Sequence, residues 1–367
     1  MELVLDKSRA IAYRGNWQRI KSLMQSLNMG KEATVAFIGG SITQGCNASK
    51  DENSYAYIVY QWFVKRFPDS DIRYINAGIG ATSSQYAVAR VDEDVLKYRP
   101  DFVFVEFSVN DDNTDFFMET YEGLIRRILY SEYKPAVMLL HNIKYDDGYS
   151  SAREHLAIGK YYDLPSCSIA DVLYPLVCAK ECDAKDITTD YLHPNDKGHR
   201  LSAECIIYFL DEIYKALDEV EEPSQNKLSP LTRNRYEQSR LLCSKDVDAV
   251  CDGFVKDTRK KKSFLDHFKG GWYGRNKGDK ITFEIYGSAI SILYRQTINK
   301  PSPVARVCVD GRFIMELDSN FEEDWGENLR IDNILPYEDR KYHTIELEIV
   351  DSQDVISDFY LLSIIVS

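Results

Sequence analysis

The chain has 367 residues, 44% hydrophobic and 28% charged, with a formal net charge of -13. That is the make-up of an ordinary globular chain long enough for about two domains of ~150 residues each. The acidic balance excludes a nucleic-acid binder, whose phosphate contacts need clustered Lys and Arg, and the one basic run, 256–262, reads as a short solvated loop.

The first nine residues lack the apolar core and small-residue cleavage site of a signal peptide. No apolar run approaches the ~18 residues that span a bilayer, so a cytoplasmic location is expected. An amphipathic helix is expected over about 8–30, with Trp17, Ile20, Leu23 and Leu27 on one stripe. Val35 to Ile38 then reads as a buried parallel strand. It ends in Gly39-Gly40-Ser41. Tyr55 to Phe67 reads as a helix that Pro68 stops. Ile72 to Ile75 is a second strand, followed by the glycine-bearing loop 76–84 and a helix. Asp101 to Phe107 is a third strand, apolar except for Glu106. A helix over Thr120 to Leu129, a strand over Ala136 to Leu140, a helix near Ser151 to Lys160 and a short strand near Pro165 to Ala170 follow. Asp196 to Leu217 closes this half as a long helix. Strands alternating with helices at this spacing imply an α/β domain with a parallel five-stranded sheet, over 1–220.

Residues 221–230, with Pro223, Ser224, Gln225 and Asn226, read as a linker. Beyond it the period falls from about 3.6 to 2. Ile281 to Tyr286, Ala289 to Tyr294, Val304 to Val309, Phe313 to Leu317, Thr344 to Val350 and Phe359 to Val366 are strand-like. Short strands without helices predict an all-β sandwich or jelly-roll domain over 231–367. None of the eight cysteines forms a CxxC pair, and the spacing of Cys178 and Cys182 lacks a second pair. They read as reduced core thiols rather than a zinc site.

The chemistry-bearing residues follow strands or precede helices on one rim of the first sheet. Ser41 stands at the carboxyl end of the first strand, where open α/β sheets place their ligands. Asp190 and His193 are three apart at the mouth of the last helix, so the carboxylate can hold the imidazole in one tautomer. Asn110, after the third strand, can donate from its carboxamide, and Gly78 and Gly80 can donate from their backbone. An activated serine needs a base, an orienting group and preorganised oxyanion donors. These residues supply each part. His199 reads as structural.

Gly39-Gly40-Ser41-Ile42, Gly80, Val109-Asn110-Asp111 and Asp190-x-x-His193-Pro194 resemble the ordered blocks of the SGNH (GDSL-type) hydrolase superfamily, over about 33–215. The resemblance implies a flavodoxin-like domain with Ser41 as nucleophile, His193 as general base and then acid, and Asp190 orienting His193. It implies an oxyanion hole made of the Ser41 N–H, the Gly80 N–H and the Asn110 side chain. Gly40 stands where that family usually has Asp, and Ser108 where Gly is common. The loop after the second strand is one residue short, so Gly78 can take the place of Gly80. The G-x-S-x-G of α/β-hydrolases is not met, because Thr43 stands at its last position.

An SGNH domain followed by a jelly roll resembles carbohydrate esterases that deacetylate plant polysaccharide fragments, above all the gut-bacterial acetyl-mannan esterases of carbohydrate esterase family seventeen. Their second domain resembles a carbohydrate-binding module. That likeness implies an acetylated oligosaccharide substrate, no metal or organic cofactor, and neither a nucleic-acid nor a membrane partner. A homo-oligomer remains compatible. Trp325, in Asp324-Trp325-Gly326, is expected to stack on sugar, with Gly78 and Asp111 beside the substrate. Trp272, in Gly270-Gly271-Trp272-Tyr273-Gly274, looks like part of a packed turn. Other small esters, such as xylan or sialate O-acetyl esters, are the alternative. A glycan-binding protein with a vestigial site is a further reading, which the intact Ser, Asn, Asp and His set argues against.

Overall fold

The computed structural model describes residues 3–222, 227–263, 265–323 and 325–367. Met1 and Glu2, Pro223 to Asn226 of the expected linker, and Asp324 of the expected sugar-stacking loop lie outside the described residues. The chain divides into two units, the first ending at Glu237 and the second running Gln238–Ser367.

In the first unit the strands are β1 (Ile11–Tyr13), β2 (Ala33–Gly39), β3 (Ile72–Gly78), β4 (Phe102–Glu106), β5 (Ala136–His141) and β6 (Ser166–Ser168). They form one six-stranded sheet in the order β1-β6-β5-β4-β2-β3. β2 to β6 are mutually parallel, as expected, and β1 adds an antiparallel edge. The parallel strands have the flavodoxin-like order, which reverses around β2 and leaves a crevice beyond the carboxyl ends of β2 and β4.

The helices are α1 (Gln18–Asn28), α2 (Ser41–Gln44), α3 (Tyr55–Arg66), α4 (Ser84–Asp94), α5 (Asp115–Leu129), α6 (Ala152–Tyr161), α7 (Ala170–Cys178) and α8 (Asp196–Lys215). Val35, Phe37, Phe102, Phe104 and Met138 pack in one cluster with Leu27 of α1, Phe63 of α3 and Phe209 of α8. The alternate residues Ala36, Ile38, Val103 and Val105 are equally buried. A strand covered on both faces has no solvent side for polar residues, which is why β2 and β4 read as unbroken apolar runs.

The single helix expected over 8–30 is replaced by a 3-10 turn at Lys7–Ala10, then β1, then α1. Gly15 lies between them with φ +61, and a Cβ there would fall 2.4 Å from the Leu164 carbonyl carbon. The chain turns sharply at this close approach, so no helix passes through it. The expected stripe survives, since Trp17, Ile20, Leu23 and Leu27 are all buried. α7 was not anticipated because Pro175, inside it, reads as a breaker.

Residues 227–237 belong to the first unit, where a linker over 221–230 and the start of the second domain were expected. Glu122 of α5 accepts the Leu231 and Thr232 N–H groups at 2.6 and 2.8 Å. Arg126 of α5 donates to Glu237 at 2.7 Å and to the Leu228 carbonyl at 2.9 Å. Arg235 pairs with Glu119. Composition marks 221–230 as polar but does not show that α5 offers buried charges to meet it.

The second unit holds β7 (Arg240–Leu242), β8 (Ala249–Asp252), β9 (Val255–Lys256), β10 (Trp272–Gly274), β11 (Lys280–Gly287), β12 (Ile290–Gln296), β13 (Val304–Val309), β14 (Arg312–Asp318), β15 (Asn328–Leu335), β16 (Lys341–Asp351) and β17 (Phe359–Val366). One antiparallel sheet runs β15-β12-β17-β10-β9, with β7 also on β17, and the other runs β14-β13-β16-β11-β8. Ile281, Phe283 and Ile285 of β11 and Phe359, Leu361 and Ile364 of β17 meet in one core. This is the expected all-β domain. β15 escapes a period-2 reading because Asp332 takes an inward position, where it accepts the Tyr294 hydroxyl at 3.0 Å. Trp272, expected in a packed turn, lies instead in β10 and is buried against Phe283 with centroids 5.0 Å apart.

Candidate active site

β2 delivers the chain through Gly39-Gly40 to Ser41, the first residue of α2. The first amides of a helix have no intrahelical acceptor, so the Ser41 N–H is unpaired by its own helix. Pro194 and the Asn195 cap, whose side chain accepts the Gly198 N–H at 3.1 Å, start α8 just after His193.

The two ends meet. His193 Nε2 lies 2.8 Å from Ser41 Oγ, and its Nδ1 lies 2.6 Å from Asp190 Oδ2. A carboxylate on Nδ1 fixes the proton there, which leaves Nε2 to accept from the serine hydroxyl. The other Asp190 oxygen accepts the His193 and Leu192 N–H groups at 2.7 and 3.1 Å. Burial pushes the Asp190 carboxyl up, but the His193 side chain and these two amides outweigh it and hold it below its ordinary value. The segments after Ser41 and His193 are also stapled together. Asp196 of α8 accepts the Ser49 N–H and hydroxyl, each at 2.7 Å. His199 accepts the Tyr55 N–H on Nδ1 and donates from Nε2 to the Cys46 carbonyl, so it is neutral scaffolding, as expected.

The expected oxyanion donors fare differently. Asn110 has a carboxamide that makes no hydrogen bond among the described residues, with Oδ1 buried. Its amide is free to donate. Gly80 borders Ser41, since a Cβ on it would lie 3.7 Å from Ser41 Cβ. Its N–H donates to Gln44 Oε1 at 2.6 Å. The Gly78 N–H goes to Asn76 Oδ1, within its own strand, at 2.9 Å. A Cβ there would fall 2.2 Å from the Gln44 nitrogen, so the glycine serves to let β3 lie against α2.

Asp111, expected beside the substrate, is fully buried. It accepts the Ser84 N–H at 2.8 Å and pairs with His155 Nε2 at 3.1 Å, tying the Asn110 turn to α4 and α6. Glu106 is fully buried too, and burial pushes its carboxyl up to about 7, against the pull of Ser108 and Asn142 donors. Its Oε1 accepts the Ser108 hydroxyl at 2.8 Å and the Ser108 N–H at 3.1 Å. Ser108 Oγ in turn accepts the Asn142 N–H at 2.7 Å, so the serine found in place of glycine braces the turn that carries Asn110. Sequence reading flagged Glu106 as the lone polar residue of its strand without a role. It missed Gln44, although a residue three after Ser41 in a helix shares its face.

Trp325 belongs to the second unit, 54% exposed, with its ring edge against Phe321 and its N–H donating to Glu323 at 2.5 Å. Among the described residues no group of three or more His, Cys, Asp or Glu side chains is arranged to hold a metal, and no helix is long and apolar enough to cross a membrane.

Comparison with known proteins places this site in a lineage. Residues 37–201 match the model of the GDSL-like Lipase/Acylhydrolase family. The crystal structure of a two-domain esterase (CEX) active on acetylated mannans is similar along 99% of both chains, with 44% identity and a TM-score of 0.96. A crystal structure of such an esterase co-crystallised with mannopentaose matches at 44% identity and a TM-score of 0.95, over 100% of this chain and 98% of that one. No curated protein sequence matches. The matched stretch contains Ser41, Gly80, Asn110, Asp190 and His193, and the likeness runs through both domains: the chain belongs to the GDSL-like lipase/acylhydrolase family of ester hydrolases.

Proposed function

We propose that this ester hydrolase removes O-acetyl groups from mannan-derived oligosaccharides through an acetyl-enzyme on Ser41. The observation that carries the substrate is the 44% identity, across both domains, with an esterase active on acetylated mannans. The hydrogen-bonded chain Asp190–His193–Ser41 supports the chemistry.

In the first half-reaction Ser41 Oγ attacks the acetyl carbonyl carbon while His193 Nε2 takes the hydroxyl proton. The carbonyl π pair moves onto oxygen, which the Ser41 N–H and the Asn110 amide receive. When that pair returns, the carbon–oxygen bond to the sugar breaks and His193 gives its proton to the leaving sugar oxygen. Water then repeats the sequence on the acetyl-Ser41 ester, with His193 as base, and acetate departs. Asp190 stabilises the imidazolium formed in each half and stays ionised throughout. Each preorganised oxyanion donor is worth about 3 kcal/mol of barrier. Trp325 offers an exposed ring of the kind that stacks on a pyranose face.

Acetate release from acetylated manno-oligosaccharides, followed by NMR, tests this reading. Wild-type protein is expected to release acetate and Ser41→Ala none. Release at the wild-type rate by Ser41→Ala overturns the serine mechanism, and wild-type activity confined to acetylated xylan fragments overturns the substrate.

A further inference from the structure

The contact between Gln44 and Gly80 has a consequence for how the oxyanion hole works. Beside the Ser41 N–H and the Asn110 amide, which receive the oxyanion in the reading above, the Gly80 N–H is a third candidate donor, since a Cβ on Gly80 would lie 3.7 Å from Ser41 Cβ. The first heads a helix and the second makes no hydrogen bond among the described residues. The third is occupied, with Gln44 Oε1 only 2.6 Å from the Gly80 nitrogen. A backbone amide has a single proton, and here it points at a side chain of the nucleophile's own helix.

We infer that Gln44 is a displaceable occupant of the oxyanion hole, which yields the Gly80 N–H to the acyl oxygen only when that oxygen becomes charged. This rests on the serine-esterase reading. The physical basis is the ranking of acceptors. The substrate's ester carbonyl is neutral and no better an acceptor than the carboxamide of Gln44, so in the bound substrate the Gly80 N–H stays with Gln44. The oxyanion carries a full charge, and hydrogen bonds to charged acceptors are roughly twice as strong as neutral ones. It takes the proton away from the amide.

The interaction is therefore made in the transition state and not in the ground state, which is the kind that raises kcat. Until then Gln44 satisfies an amide beside the nucleophile that otherwise has no acceptor. Gln44 acts through Gly80 and touches no reacting atom, so it is a positioning residue. It sits one helical turn beyond Ser41, which lets the same short helix carry both the nucleophile and the occupant of the hole.

Two substitutions separate this from a merely structural role, because they are expected to move activity in opposite directions. Gln44→Ala empties the Gly80 N–H, so the oxyanion no longer has to displace an amide. Its kcat/KM on p-nitrophenyl acetate is expected to rise about two- to tenfold, the worth of one neutral hydrogen bond, through a lower KM. Gln44→Glu is close in shape and places a carboxylate on the same N–H. That oxygen competes with the oxyanion as an equal, and kcat at neutral pH is expected to fall at least tenfold, with KM little changed. A structural support would instead lose activity in both variants.

A fall or no change in kcat/KM for Gln44→Ala overturns the inference, as does full activity in Gln44→Glu, the variant that preserves shape if Gln44→Ala folds poorly. Ser41→Ala, assayed alongside, tests the serine-esterase reading itself. Activity surviving there removes the reading, whereas its loss combined with a fall in Gln44→Ala removes only the role given to Gln44.

Discussion

Gly40 and Asn110 are packed directly together: a Cβ built on Gly40 would lie 2.3 Å from Asn110 Oδ1 and 2.9 Å from its Nδ2. Gly40 has φ -87, so the backbone itself does not demand glycine. The demand comes from the neighbour, whose amide is a free donor into the crevice. The atoms in the way are the end of one side chain, which swings aside at little cost to folding but at a large cost to catalysis.

Gly40→Asp, which introduces the residue usual in the wider superfamily, is therefore expected to lower kcat about 100-fold, the effect of losing one oxyanion donor, with KM little changed. Steady-state kinetics with a melting curve check it. Unchanged kcat in a folded variant shows that Asn110 does not act from this position.

Asp190 accepts from His193 Nδ1 and from the His193 and Leu192 amides. An asparagine there presents an NH2 group to Nδ1 and drives the proton to Nε2, where it blocks proton abstraction from Ser41. Asp190→Asn is expected to lower kcat by about 10³- to 10⁴-fold at neutral pH. A loss under tenfold would show that the imidazole holds its tautomer without the carboxylate.

Glu106 gives the fold a pH dependence of definite sign. Its carboxyl is raised from 4.5 to about 7, first by burial. The folded state thus holds the proton more tightly than the unfolded chain. The stability this contributes is full below 4.5 and is lost as pH rises through about 7. The loss integrates to roughly 3 kcal/mol. Glu106→Gln keeps an oxygen for Ser108 and removes the titration. Relative to wild type it is expected to be more stable at pH ~8 than at pH ~5 by about that amount, measured by urea unfolding. An identical difference at both pH values contradicts the shift.

Arg126 and Glu237 form a pair whose side chains are 4% and 10% exposed. Glu237→Ala leaves a buried guanidinium short of its carboxylate and is expected to cost about 3 kcal/mol, while Arg126→Met with Glu237→Leu recovers most of it. Cleavage by a protease within 227–237 should rise in the single variant. If Glu237→Ala costs nothing measurable, the segment is not held to α5 as described.

The candidate site was legible in the sequence because each member sits at a punctuation mark. Ser41 follows two glycines, Asn110 ends an apolar run, and His193 precedes a proline at a helix start. The parallel strands were legible for the same reason their core is dry, since burial on both faces leaves no polar residue to blur the run. What escaped depends on contacts between distant segments. Nothing local shows that Gly15 meets Leu164, that Asp111 turns inward to His155, or that Glu119, Glu122 and Arg126 await residues 231–237. Nor does spacing show whether the proton of Gly80 points at solvent or at Gln44. β15 escaped because a buried aspartate with a tyrosine partner imitates a loop residue.

The central claim is that Ser41, activated by His193, is the group acylated in catalysis. Its most direct test is peptide mapping by mass spectrometry after treatment with diethyl p-nitrophenyl phosphate, with residual acetylesterase activity followed in parallel. The account predicts one phosphoryl adduct, on the peptide bearing Ser41, forming in step with loss of activity and absent in His193→Ala. Complete inactivation with the label on another residue, or persistent activity after Ser41 is fully labelled, would contradict it.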